Sequence, residues 1–207
     1  MTTIRTSQNL EALLNPLLSR LVVLATKTGC SAEHRAVIIV SMQTILTKLY
    51  SEPELDNKRD MALAKFRVVE SDQLTLLSMY KSWESHEFSS VWCARNGIKY
   101  ADMVKVLELQ IQLTAILWRH KILLFSCGIQ WLVVLKCISV TYFHQSAQLV
   151  NADEGRYDSC QAGVSWYIYR NSAVMSLGFL PTVVVYDHLV STEDRIYMRG
   201  ITTIDAD

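Results

Sequence analysis

Five histidines (His34, His86, His120, His144, His188) and five cysteines (Cys30, Cys93, Cys127, Cys137, Cys160) have the most chemical scope in this sequence. Metal and nucleophile chemistry needs such residues at set spacings. The cysteine count is odd and no pair has C-x-x-C spacing, so neither a zinc ribbon nor a disulfide framework is expected. Buried thiols in a reducing compartment are the plain expectation. The histidines are scattered and read as ordinary core or surface residues. Seven glycines contain no G-x-x-x-x-G-K-[ST] phosphate loop and no G-x-G-x-x-G. H-E-x-x-H and G-x-S-x-G are missing too. Ser31-Ala32-Glu33-His34 echoes a D-E-A-H tetrapeptide, but it lacks the leading Asp that would help hold magnesium. It also follows a helix stop rather than a buried strand.

The 207 residues are half hydrophobic and 19% charged, enough apolar material for a sizeable core. Twenty Lys and Arg balance twenty Asp and Glu, so an overall basic field for nucleic acid is lacking. The N-terminus has no secretory apolar run. The greasiest stretch, Ile122–Val140, is charge-free for only 14 residues before Lys136. A membrane-spanning helix needs about 20.

These residues must be positioned by helices first and strands later. Asn15-Pro16 predicts an N-cap and first helical residue, with Leu17, Leu18, Leu21 and Leu24 following at helical spacing and Gly29 as the stop. Ser31 predicts the cap of a helix carrying Val37, Ile38, Met42, Ile45 and Leu49, with Pro53 beyond its end. Ser51–Arg59 predicts a surface loop. Asp72 predicts the next cap, before Leu74, Leu77, Tyr80 and Trp83. Phe88–Tyr100 predicts a short helix with a turn, in which Gly97 is awkward. Asp102 predicts the cap of a long helix to about Arg119. Its apolar residues (Met103, Val106, Leu107, Ile111, Leu113, Leu117) surround it almost completely, which predicts a largely buried helix. A helix from about Gln130 to Leu149 is expected next. After the turn Asp153-Glu154-Gly155, short β-branched and aromatic runs predict strands: Val164–Tyr169, Val183–Tyr186 and Ile196–Ile204.

Several segments carry a family resemblance. Leu18–Ser31 (LSRLVVLATKTGCS) resembles the opening of the ratchet-like helical region of DEAH-box RNA helicases. Ser71–Glu84 (SDQLTLLSMYKSWE) is similar to their (E/G)-(S/D)-H-L-T-L-L-N-V-Y-x-x-W pattern, and Ser89–Cys93 (SSVWC) continues it. Ser126–Leu149 resembles the helix leading into the family's OB-fold. Tyr142-Phe143-His144-Gln145 points to the pre-mRNA-splicing branch, nearest the second-step splicing helicase. Pro181–Val190 (PTVVVYDHLV) and Tyr197–Asp205 (YMRGITTID) resemble the final strands. The resemblance covers residues 13 to 205.

It implies an α+β fold: a helical ratchet-like bundle at 10–135, then a small antiparallel OB-like β-barrel at 136–207, truncated at its C-terminus. It also implies an accessory RNA-binding or interaction region of a splicing helicase, without the ATPase motor in this chain. ATP and Mg²⁺ would serve only a full-length member, so no cofactor and no catalysis are expected here. The expected partners are single-stranded RNA, spliceosomal proteins or a glycine-rich activator segment, in the nucleus, with no membrane and no DNA. A protein-interaction module and a degenerate, non-functional fragment stay open as alternatives. So do an incomplete gene product and a stand-alone paralogue.

The chain departs from the family pattern at several places. Gly97 stands where Phe is common, and Val104–Gln110 replaces an Arg-rich stretch. Leu132, Leu135 and Gln148 replace charged residues, and Tyr169-Arg170-Asn171-Ser172 replaces H-P-x-S. Residues 191–196 are one longer than the family's T-T-K-E. Each lost cation weakens salt-dependent RNA binding. The remaining positions implied as RNA contacts are Lys136, Arg170, Ser172, Arg195 and Arg199. Trp83 and Trp92 read as core residues rather than stacking platforms. Tyr167 and Tyr169 alternate with Trp166 on a strand, so one face is either a base-stacking surface or barrel interior.

Overall fold

The computed structural model describes residues 9–27, 33–47, 64–122, 131–159, 165–192 and 194–204. The chain divides into two units: Met1–Phe66 with Leu76–Cys137, and Arg67–Thr75 with Ile138–Asp207. The first is helical. The second is built on a seven-stranded sheet, so the molecule is of the α+β class.

Helix α1 (Pro16–Lys27) starts as its sequence dictates: the Asn15 side-chain oxygen accepts the Leu18 amide at 2.8 Å. It buries Leu18, Leu21, Val22 and Ala25, while Leu17 and Leu24 are half-buried. Helix α2 (Glu33–Thr47) is buried almost without a break from Ala36 to Gln43 and packs against α1 and the long helix Tyr100–Arg119. The predicted features at Gly29, Ser31, Leu49, Ser51–Arg59 and Pro53 lie outside the described residues.

Helix α3 (Asp72–Ser85) buries the predicted Leu74, Leu77 and Tyr80, and Met79 and Trp83 beside them. Its cap is Ser71, whose hydroxyl accepts the Leu74 amide at 3.2 Å. Asp72, the expected cap, is used elsewhere. Helix α4 (Ser90–Arg95) is capped by Ser89. Gly97 resolves as its left-handed stop at φ +69°, with the Ile98 amide returning to the Cys93 carbonyl at 2.9 Å.

Helix α5 (Tyr100–Arg119) begins two residues before the expected cap, and Asp102 sits in its first turn, 3.5 Å from the Lys105 ammonium. The expectation of all-round burial fails. Met103, Val106, Leu109, Leu113 and Leu117 are buried, but Ile111 is 60% and Trp118 73% exposed. The apolar composition serves one packed stripe and one open one. Helix α6 (Trp131–Tyr142) is shorter than expected. The chain turns as the Gln145 amide meets the Tyr142 carbonyl, and Ser146–Asn151 becomes strand β1 rather than helix. Ala, Gln and Leu favour helix, yet pairing on both sides of β1 overrides that preference.

The other strands are β2 (Arg156–Ser159), β3 (Ser165–Ile168), β4 (Val183–Val185), β5 (His188–Ser191), β6 (Ile196–Arg199) and β7 (Thr202–Thr203). Their order is β5-β6-β3-β2-β1-β4-β7, and every pairing is antiparallel except β3 with β6. Among the described residues the sheet is not closed, so an open sheet stands where a closed barrel was expected. It is nevertheless strongly bent. β5 follows β4 after two residues, yet five strand spacings separate them in the sheet. Flat, that would be about 24 Å; three residue steps span at most about 11 Å. Within the bend, the Tyr186 amide bonds Gln145 beside β1 and the Asp187 amide bonds Arg199 at the end of β6, both at 2.9 Å. The rings of Trp166 and Tyr186 meet 5.2 Å apart inside one core with Ala147, Tyr157, Ile168, Val174, Val184, Met198 and Ile201.

Ile196–Ile204, expected as one run, breaks at Gly200. Its φ is +64°, and a Cβ there would lie 2.7 Å from the Asp187 Cβ. A short 3-10 helix, Ala173–Leu177, links β3 to β4. Among the described residues, no helix is long and apolar enough to cross a membrane.

Candidate nucleic-acid interface

Strand alternation settles which aromatic residues are buried. On β3, Trp166 and Ile168 enter the core with Met198 of β6. Tyr167 and Tyr169 therefore take the opposite face. The parallel register sets Tyr167 beside Tyr197 and Ile168 beside Met198. Ring centroids of Tyr167 and Tyr197 are 6.3 Å apart, and those of Tyr169 and Tyr197 are 5.9 Å apart and edge-on. All three tyrosines are half-buried.

Two cations lie on these rings. The Arg195 guanidinium carbon is 4.3 Å from the Tyr167 centroid, and that of Arg199 is 3.8 Å from the Tyr169 centroid. Such contacts hold a flexible arginine against a π face. Arg195 is exposed, whereas Arg199 is only 8% exposed. Arg156 of β2 stands opposite Tyr167 and forms a 3.9 Å ion pair with Glu154. Three rings with interleaved guanidinium groups are the chemistry that single-stranded nucleic acid uses for stacking and phosphate contact.

The structure thus brings together two of the five implied contact residues, Arg195 and Arg199, and adds Tyr197 and Arg156, which the sequence reading did not single out. Tyr197 alternates with the buried Met198, a readable signal, but its pairing with Tyr167 joins distant strands. Arg170 is exposed just after Tyr169, and Lys136 is exposed on α6 in the helical unit. Ser172 turns inward at 5% exposure. Its hydroxyl donates to the Asp72 carboxylate at 2.9 Å and accepts the Val174 amide at 3.3 Å.

Trp83 and Trp92 are buried, as read. Trp83 meets Tyr80, Phe88 and Tyr100 edge-on, and Trp92 lies 5.5 Å from Phe66. Burial pushes the Tyr80 phenol up to about 12, helped by the nearby Glu84 charge. The Tyr80 hydroxyl donates to Gln110. Cys93 and Cys137 are buried thiols that form no disulfide, and Cys30, Cys127 and Cys160 lie outside the described residues.

Asp72 is the other polar centre of the β unit. Besides Ser172, its carboxylate accepts the Ala173 amide at 2.7 Å and the Ile201 amide at 2.8 Å. Around it, the Gln73 side-chain amide donates to the Gly200 carbonyl at 2.8 Å, and the Ser71 and Thr202 hydroxyls are 2.6 Å apart. Removal from water raises the Asp72 carboxyl above its ordinary range, against the lowering pull of these three donors and of Arg67. Among the described residues, no cluster of three His, Cys, Asp or Glu could hold a metal ion.

No family model matches the chain. The resemblance found in its motifs does extend along the sequence: nearly all of it is similar to part of a DEAH-box pre-mRNA-splicing RNA helicase. That relative is the pre-mRNA-splicing factor ATP-dependent RNA helicase prp22 of Schizosaccharomyces pombe. Identity is 26% over 193 residues, which are 93% of this chain and 16% of the relative. The chain therefore spans about a sixth of the length of the helicase it matches.

Proposed function

We propose that this chain is an accessory RNA-binding region of a DEAH-box splicing helicase: a ratchet-like helical unit and an OB-like β unit acting in the nucleus on single-stranded RNA. In this reading the chain carries no ATPase motor and takes no cofactor, and ATP and Mg²⁺ belong to the motor of a full-length helicase. The observation that carries it is the face formed by Tyr167, Tyr169 and Tyr197 with Arg195 and Arg199. The kinship with a splicing helicase supports the choice of ligand.

The five implied contacts then divide by exposure. Arg195, Arg170 and Lys136 are exposed enough to reach phosphates, while Arg199 and Ser172 shape the surface from within. The test is fluorescence anisotropy with a single-stranded oligouridylate over a range of salt. Binding should weaken steeply with salt. Tyr197→Ala should cost roughly 5- to 150-fold in affinity, the worth of one stacked base. Arg195→Ala should reduce the salt slope by about one. A chain that binds no RNA even at low salt would overturn the reading and leave the protein-interaction role.

A further inference from the structure

We propose that Asp72 is the positioning residue of the tyrosine–arginine face, the group that holds the carboxyl ends of β3 and β6 side by side so that Tyr169, Tyr197 and Arg199 meet. This deepens the RNA-binding reading and rests on it.

The argument begins with strand direction. Antiparallel neighbours joined by a hairpin inherit their register from the turn, but parallel neighbours do not. The β3–β6 ladder is short: Tyr167 with Tyr197 and Ile168 with Met198, extended by the Tyr169 amide on the Met198 carbonyl at 3.1 Å. Both strands finish at the same edge, and the Asp72 carboxylate bonds the chain just past each of them. On the β3 side it takes the Ser172 hydroxyl and the Ala173 amide at 2.7 Å, and the Ser172 amide is bonded to the Tyr169 carbonyl at 2.9 Å. On the β6 side it takes the Ile201 amide at 2.8 Å, two residues beyond Arg199. The Asp72 amide returns to the Ile201 carbonyl, and Gln73 holds the Gly200 carbonyl between them.

One carboxylate thus serves two strand ends with acceptor atoms alone. The Oδ1 atom faces Ala173, Oδ2 faces Ile201, and Ser172 reaches both. Asparagine has the same shape but only one acceptor oxygen. Its NH₂ group would face a donor, so Asp72→Asn should release one strand end while leaving the core untouched.

Asp72→Asn should be compared with Val184→Ala, a core truncation on β4 that does not touch the face. Two measurements are made on each full chain. The first is oligouridylate affinity, normalised to melting temperature. The second, on the free chain, is the NMR ring-current shift of the Arg199 side-chain protons caused by Tyr169. Expected for Asp72→Asn is a roughly tenfold loss of affinity, the worth of one charge-assisted hydrogen bond, together with collapse of the Arg199 shift. Val184→Ala should keep both. If Asp72→Asn folds and keeps the Arg199 shift, or if both variants lose it alike, the positioning role is overturned. Wild-type chain that shows the shift but binds no RNA would sink the RNA reading alone.

Discussion

The helical unit and the β unit are held together by different physics. Side chains such as Leu21, Val37, Ile38, Met42, Trp83, Val106 and Leu113 fill the helical unit, and its helices satisfy their own backbone groups. The β unit also has an apolar core, from Ala147 to Ile201, but polar side chains organise it. Asp72, Ser71, Gln73, Ser172 and Thr202 bond loop amides and one another where the sheet bends. Apolar packing is tolerant of shape and hydrogen bonds are not. The unit with the stricter fastening is the one that presents an ordered face.

This contrast can be broken by experiment. The largest effect should come from emptying the helical core: Trp83→Ala removes a fully buried ring that meets three other aromatic side chains. It should destabilise the chain by about 3–5 kcal/mol in denaturant unfolding. Survival of a cooperative transition at the wild-type midpoint would contradict the assignment of the core.

A second difference is the response to pH, and here the two units should part in sign. The Asp72 carboxyl is raised in the folded state, so the stability it contributes is complete below its ordinary value of 3.8 and is lost as pH rises through the raised value. His34 in the helical unit behaves oppositely. Burial, with Lys81 and Arg35 nearby and Glu84 opposing them, lowers its imidazole below 6.5. Its contribution is complete above 6.5 and is lost as pH falls through the lowered value. Thermal melts should therefore show Asp72→Asn flattening the acid-side fall of stability with rising pH. His34→Gln should remove a separate loss as pH falls below 6.5. Identical pH profiles for wild type and both variants would count against this division.

The smallest effect should come from α5. Trp118 is 73% exposed, and Trp118→Ser should change stability by no more than about 0.5 kcal/mol. A larger loss in unfolding experiments would mean that the outer stripe of α5 is packed after all.

The same contrast explains what the sequence made legible. Asn15-Pro16, Ser89 and the stripe from Leu74 to Trp83 act over one or two helical turns, so spacing alone revealed them. Ser146–Asn151 reads as helix in the sequence because its partners, β2 and β4, are supplied by chain that follows it. Asp72 reads as a cap for a related reason: its three donors, from Ser172, Ala173 and Ile201, lie far along the chain. At the interface, alternation placed Tyr167 and Tyr169 on one face and Trp166 on the other, but left open which was buried. Arg195 and Arg199 came from the family resemblance, whereas their seats on tyrosine rings depend on a β3–β6 register that no local pattern encodes.

The parallel partnership of β3 and β6 also fixes when the interface comes into being. A ribosome releases Tyr167 and Tyr169 well before Tyr197 and Arg199, with the 3-10 helix and two strands emerging in between. Until that later strand docks, half of the platform has no counterpart. A nascent or partly unfolded chain would therefore lack the complete face, and the proposed RNA binding would report that β6 has docked on β3.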